Sequence, residues 1–206
     1  GGTIKLDGNY PVGTGNVALG DAALDSIQSD GNYNVAIGEA VLTNVNGADA
    51  NTAVGYQAGL SNTTGSDNVF VGLQAGYGNT TGVGNLAAGG NSPLRNNTTG
   101  GSNVALGYSA LYSNTTASNN TAVGYQSLYA NTANNNTALG HSALFSNTTG
   151  SLNAGISQGA LYSNTTGIYN TAAGVNAMYL NTTGSSNVGL GKDALRNNTT
   201  ASSNTA

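Results

Sequence analysis

His141 is the only histidine in this chain of 206 residues, and the chain has no cysteine. Nucleophilic catalysis needs an activating base within hydrogen-bond reach of the nucleophile, and no pattern in the sequence places such a pair around His141. Disulfides and thiolate metal sites are excluded by the lack of cysteine. We therefore interpret His141 as a surface position, and we predict that the chain has no catalytic residues and is not an enzyme.

Six of the seven acidic residues in the first third of the chain raise the question of a calcium site: Asp21, Asp25, Asp30, Glu39, Asp49 and Asp67. Their spacing matches neither an EF-hand loop nor the Gly-rich nonapeptide of calcium-binding β-rolls. The glycine-rich stretch Gly72–Gly90 lacks the lysine that follows a phosphate-binding loop. We predict no metal and no cofactor, and we interpret the acids as solvated charges.

Charged residues make up only 6% of the chain, and the formal net charge is −4. Soluble domains typically carry about 25% charged residues, so asparagine, threonine, serine and glycine must form most of this surface. Four basic residues cannot neutralise a phosphate backbone, which argues against a nucleic acid partner. No apolar run approaches the roughly 20 residues that span a bilayer, so we predict no membrane insertion.

A run of aromatic residues is the remaining candidate for a functional surface: Tyr112, Tyr129, Phe145, Tyr162 and Tyr179. If each interval of sixteen or seventeen residues is one turn of a regular structure, these rings form a ladder. Such a strip could lie flat against the sugar rings of a host glycan. The alternative, which we favour, is that the rings stack on one another to stabilise the structure or fill a contact between chains.

The element that positions these rings is a unit of about seventeen residues that opens with asparagine and occurs eleven times. A fixed period of this kind is typical of a solenoid, in which each coil buries its apolar side chains only against its neighbours. Positions within the unit are numbered from the opening asparagine. The copies begin at Asn16, Asn34, Asn51, Asn68, Asn85, Asn103, Asn120, Asn136, Asn153, Asn170 and Asn187.

The first five positions of the unit have the pattern of a short strand. Valine or threonine stands at position 2 and an aliphatic residue at position 4, and these two positions share one face. Position 3 is alanine in most copies, with Phe70 as the outlier, and alanine lets another backbone approach on the opposite face. We therefore expect chains to meet at this alanine column. Glycine at position 5, replaced only by Ser157, predicts a corner.

The second half of the unit contains an Ala-Leu pair at positions 8 and 9 and ends in Asn-Thr-Thr-Gly or a near variant. The Ala-Leu segment is too short for an independent helix, so a single helical turn and a second short strand both stay open. The closing residues are typical of a turn. An insertion near Pro93 and a deletion after Thr132 are predicted to lie in the turns. Strand pairing between coils would give a rod of roughly 50 Å.

The segment Asn34-Val-Ala-Ile-Gly38 and its relatives at 16–20, 103–107 and 187–191 resemble the strand motif of trimeric autotransporter adhesin heads. The whole unit is also similar to repeats of phage tail fibres that precede an intramolecular chaperone domain. This resemblance implies a parallel β-roll or β-solenoid with three chains around a common axis. It also implies a role in holding or forming a receptor-binding surface. The units of the adhesin heads are shorter than those of this chain.

These observations predict a mainly β protein: a parallel β-solenoid of about eleven 17-residue coils, assembled as a homotrimer. We expect residues 1–15 to be an N-terminal connecting segment and residues 16–206 to be the solenoid, truncated within a further repeat. The predicted function is an extracellular or virion fibre segment, from a tail fibre or a bacterial surface adhesin, that attaches to a host surface. A structural filament or spacer without a receptor is the alternative, and an ice-binding solenoid is a third and weaker one.

Overall fold

A computed structural model describes residues 12–27 and 30–206 of the chain. Eleven short strands in these ranges form one parallel sheet, in which the strand order equals the chain order. Each coil therefore adds one strand to the sheet, and the predicted β-solenoid is confirmed. Residues 1–11 of the predicted connecting segment lie outside the described residues.

All but two of the strands contain three residues. The eleven strands are β1 (Val17–Leu19), β2 (Val35–Ile37), β3 (Thr52–Val54), β4 (Val69–Leu73), β5 (Leu86–Asn91), β6 (Val104–Leu106), β7 (Thr121–Val123), β8 (Thr137–Leu139), β9 (Ala154–Ile156), β10 (Thr171–Ala173) and β11 (Val188–Leu190).

Strand pairing places equivalent positions of successive coils side by side, as in the pair of Ala105 with Ala122. The register shifts once, between β4 and β5, where Leu73 pairs with Asn91. The coil that begins at Asn85 has one extra residue. This residue lies at the glycine corner within β5, not in a turn near Pro93 as the sequence predicts. The reason is that a bulge at the corner keeps the rest of the coil in register with its neighbours.

The strand alternation is confirmed, but the prediction that chains meet at the alanine column is wrong. Alanines at position 3, such as Ala105 and Ala122, are completely buried inside their own coils, whereas positions 2 and 4 point outward. The interior is narrow: a Cβ added to Gly155, at this position, would lie 3.3 Å from Cγ of Leu144. An alanine methyl group fills that space, so the column has no surface to offer another chain.

The second half of the coil is neither a helical turn nor a second strand. Residues 107–114 form consecutive turns in which position 7 (Ser109, φ 51°) and position 9 (Leu111, φ 52°) adopt left-handed conformations. Left-handed residues that alternate with right-handed ones cannot continue a helix. The alternation turns Leu111 into the interior, where it is fully buried. Position 9 thus supplies the large apolar side chains of the core.

Asparagine at position 1 is buried and ties neighbouring coils together. The side-chain amide of Asn68 donates to the carbonyl of Gly82, fourteen residues later in the same coil, at 2.8 Å. Its Oδ1 accepts both the backbone N–H of Asn85, at 2.9 Å, and the side-chain amide of Asn85, at 3.2 Å. The opening asparagine therefore closes its own coil and also binds the next one.

A second ladder of buried asparagines runs through position 12, at the start of the Asn-Thr-Thr-Gly turn. The amide of Asn79 donates to Gly82 in its own coil at 3.0 Å and to Oδ1 of Asn62 in the preceding coil at 2.8 Å. Its own Oδ1 accepts from the amide of Asn97 at 2.7 Å. Buried polar groups are tolerated when they are hydrogen-bonded in this way. The two asparagine ladders supplement an apolar core that is thin in every coil.

Candidate functional site

The five predicted ladder residues lie in one line along the solenoid, on the side that is formed by positions 6–10 of the coils. Neighbouring ring centroids are 4.9–5.2 Å apart, and the ring planes are inclined by only 5–10°. The guanidinium of Arg196 lies 5.5 Å from the centroid of Tyr179 and caps the stack at that end. All five rings are half-buried. Because each inner ring is covered on both faces by its neighbours, a sugar ring cannot lie flat on it, and only ring edges and hydroxyls are open to a ligand.

A second and shorter stack stands at position 6. The rings of Tyr108 and Tyr125 are 5.2 Å apart, and the imidazole of His141 lies 5.0 Å from the ring of Tyr125. The stack ends at His141, which is exposed, because the next coil carries Gln158 at this position. The sequence predicted His141 as a surface position, and the stack was not predicted. The recurrence of aromatic residues at position 6 was the available signal.

A notch opens on the same side of the solenoid, where the second stack ends, and its volume is about 370 Å³. His141 and Gln158 line one side, and the half-buried Tyr162 and Tyr179 of the long ladder line the other. Gln126 and Asn176, both at position 7, stand at its two ends along the rod. These residues come from four successive coils, so the notch exists only because the coils stack.

The floor of the notch is made by two small residues at position 7, Ser142 and Gly159, where three other coils carry glutamine. The coil that contains Gly159 also departs from the repeat at its corner. Ser157 replaces the glycine there and adopts a φ of 99°, which is strained for a residue with a Cβ. The notch therefore coincides with the coil whose corner residue is not glycine.

The acidic residues do not gather into a metal site in the part of the chain that the structure describes. There, no group of three or more histidine, cysteine, aspartate or glutamate side chains is placed to hold an ion. Asp49 instead accepts a hydrogen bond from the backbone N–H of Asn32 at 2.7 Å. No described helix is long and apolar enough to cross a membrane.

The outward face of the sheet carries a continuous series of aliphatic side chains along the described rod. Position 4 is aliphatic in every one of the eleven strands, and position 2 carries only aliphatic residues or threonine. No charged residue interrupts either column. Exposure at position 4 reaches 38% at Leu139, 41% at Ile156 and 60% at Leu190. We call this surface the strand face. The position-4 residues are Leu19, Ile37, Val54, Val71, Ala88, Leu106, Val123, Leu139, Ile156, Ala173 and Leu190.

No protein-family model, no curated protein and no solved structure matches this chain. The resemblance to adhesin heads and to tail-fibre repeats therefore stays a prediction. What the chain does has to be inferred from its own three surface features: the strand face, the aromatic ladder and the notch.

Proposed function

We propose that this chain is a segment of an extracellular or virion fibre, a tail fibre or a bacterial surface adhesin, that forms a homotrimeric rod and attaches to a host surface. Attachment involves cell-surface glycans and no catalysis. The observation that carries the proposal is the strand face, which is uncharged along the whole described solenoid and aliphatic at position 4 of every coil.

An apolar surface of this length is expected to be buried against another chain or molecule. Monomeric soluble proteins rarely expose contiguous apolar patches larger than a few hundred square ångströms, and larger patches mark interaction sites. The strand face is straight, two side chains wide and repeated once per coil, so the surface that fits it best has the same axial repeat. A second and a third copy of the same chain supply that surface, and homo-oligomers with closed symmetry are the commonest kind.

Assembly through the strand face also suits a role in attachment. The glycine corner at position 5 turns the chain away from the sheet, so positions 6–10 lie on another side of the coil. In a trimer built on the strand face, the aromatic ladder and the notch stay on the outside. The outer surface then presents the ladder along five successive coils, which favours contact with an extended ligand.

The mass of the assembly in solution tests whether three chains associate. Sedimentation equilibrium is expected to give three times the chain mass of 20.3 kDa. The double substitution L106K and V123K places charges at two adjacent sites of the strand face, and it should shift the mass towards that of one chain. T116K, in an exposed turn threonine, adds a charge elsewhere and should leave the mass unchanged. A wild-type chain that stays monomeric overturns the trimer.

Binding of the fluorescently labelled chain to a panel of bacterial cells and to immobilised glycans tests attachment. Saturable binding to any of these surfaces supports the proposed role. A trimeric rod that binds none of them is a spacer, which is the alternative role. Tyr129→Ala and Tyr162→Ala distinguish binding by the ladder from binding by the notch, because Tyr162 also lines the notch and Tyr129 does not. If the ladder itself binds, both substitutions should abolish binding.

A further inference from the structure

The geometry points to the notch at Gly159 as a binding site for one uncharged pyranose unit of a glycan. This inference rests on the proposed function, since it assigns the glycan contact of that function to one place on the rod. The notch lies on the outer side, away from the strand face, and its volume of about 370 Å³ falls within the range of ligand-binding pockets, roughly 300–1,000 Å³.

The chemistry of the lining selects an uncharged ligand that is rich in hydroxyl groups. Three primary amides project at the notch, from Gln126, Gln158 and Asn176, and each offers donors and an acceptor. None of these three side chains makes a hydrogen bond to another described residue. The notch contains no carboxylate, no lysine and no arginine. Paired donors and acceptors without a net charge match the adjacent hydroxyls of a sugar and neither a phosphate nor a carboxylate.

Aromatic groups supply the apolar part of the site. His141 ends its stack, so the imidazole face that points away from Tyr125 has no aromatic ring over it. Gln158 follows at position 6 of the next coil, and both side chains line the notch, so the imidazole offers apolar surface there to the C–H groups of a pyranose. Across the notch, Tyr162 and Tyr179 stack on each other at 4.9 Å and present their edges. The ladder thus serves as a rigid wall.

Two departures from the repeat at the notch support a role in binding. Gly159 lacks the side chain that would fill the space, and the same coil keeps Ser157 at a φ of 99° where the other coils have glycine. Strained backbone is often found at functional sites. At the equivalent position, Gln57, Gln74 and Gln126 adopt φ values of 52–56°, so the fold accepts glutamine there. Glycine at 159 is therefore not required by the backbone.

Amide chemical shifts of the ¹⁵N-labelled chain test the site directly. The probes are the methyl glycosides of glucose, galactose, mannose, N-acetylglucosamine and N-acetylgalactosamine, with glucuronic acid as the charged comparison. We expect at least one neutral glycoside to shift the signals of Gly159 and Asn176, with a dissociation constant of about 1 mM or weaker. Glucuronic acid should shift them less. If no neutral glycoside shifts these two signals, the assignment of the notch is wrong.

Two pairs of variants locate the site and separate it from the proposed function. Gly159→Gln fills the notch with the residue that the repeat uses elsewhere and should abolish binding, whereas Ser109→Gln makes the same kind of change at position 7 outside the notch. Asn176→Ala should weaken binding about tenfold, and Gln57→Ala should not. Circular dichroism checks that each variant is folded. If G159Q does not keep its fold, loss of binding in N176A but not in Q57A decides the question.

Cell and glycan binding by the same variants gives the remaining outcomes. If the wild type attaches and G159Q attaches equally well, the notch is not the contact, but the proposed function stands. If the wild type attaches and G159Q does not, both are supported. If the wild type attaches to no cell or immobilised glycan, the proposed attachment fails, and the chemical shifts of Gly159 and Asn176 decide separately whether the notch binds a sugar.

Discussion

Phe70 shows how single residues adjust to the narrow interior of this solenoid. It stands at position 3, where the other ten coils have alanine or glycine, and it is fully buried. Two glycines make room for its ring, because Gly59 and Gly76 occupy position 9, where most coils carry leucine. A Cβ added to Gly59 would lie 2.7 Å from the ring, and one added to Gly76 would also collide with it. One phenylalanine thus replaces two leucines.

Truncation of Phe70 is expected to be unusually costly for this reason. Phe70→Ala leaves two adjacent coils with neither a phenylalanine nor a leucine in the core, and it should lower the free energy of unfolding by about 3–5 kcal/mol. Guanidinium denaturation followed by circular dichroism measures the change. Phe145→Ala is the matched control: it truncates the same side chain at a half-buried site, and it should cost less than half as much.

The double variant Phe70→Ala/Gly76→Leu tests the cause. It restores the usual alanine and leucine to one coil, and leucine is accepted at position 9 elsewhere with φ values of 47–54°. Part of the lost stability should return. Two results would contradict the idea that Phe70 takes the place of two leucines. One is a loss of less than about 1 kcal/mol in Phe70→Ala, and the other is a further loss of stability when Gly76→Leu is added to Phe70→Ala.

At the scale of the element, the closing turn depends on the number of its residues. In a complete turn, the position-12 asparagine reaches the carbonyl three residues later, as Asn147 does with Gly150 at 2.7 Å. The coil with the deletion after Thr132 is one residue shorter, and Asn131 bonds to Ala133 instead. The ladder breaks there: Oδ1 of Asn114 is buried and accepts no hydrogen bond in the described structure. As predicted from sequence, this deletion lies in the turn.

Insertion of one threonine between Thr132 and Ala133 should repair the ladder. The turn would regain its usual length, and the amide of Asn131 would donate to Oδ1 of Asn114. Satisfying a buried acceptor is worth about 1–3 kcal/mol, so the midpoint of denaturation should rise. The same insertion between Thr149 and Gly150 lengthens a turn that is already complete, and it should lower the midpoint. Equal effects of the two insertions would contradict the role assigned to the ladder.

For the whole molecule, cohesion comes from uncharged groups. Neighbouring coils are joined by backbone pairing, two asparagine ladders, threonine hydroxyls, stacked rings and buried aliphatic side chains. Charged residues make up only 6% of the chain. The described ion pair between Arg196 and Asp193, at 3.4 Å, lies at partly exposed side chains and adds little.

Stability should therefore depend weakly on ionic strength. Screening weakens contacts between exposed charges, and such contacts contribute little to this rod. Thermal melting in roughly 0.05 M and 1 M sodium chloride should give midpoints that differ by about 2 °C or less. A marked fall of the midpoint in high salt would mean that charges hold the assembly together.

The repeat, the strand at its start, the glycine corner and the line of aromatic residues could all be predicted from the amino-acid sequence. These features are visible because each depends on a residue type recurring at a fixed interval, and stacking turns a fixed interval into a straight column. The alternation of the strand was predicted for the same reason. The side of the strand that faces inward was not, because period 2 separates two faces without saying which is buried.

Which face of the strand is buried depends on how the whole coil closes. The interior is closed by leucines in left-handed turns, and the space left opposite them accepts alanine but not valine or leucine, so the larger side chains form the strand face. The asparagine ladders were missed because asparagine also suits exposed turns, and its burial depends on partners seventeen residues away. The notch was missed for the same reason: Gly159 is an ordinary glycine until the side chains of four coils are placed around it.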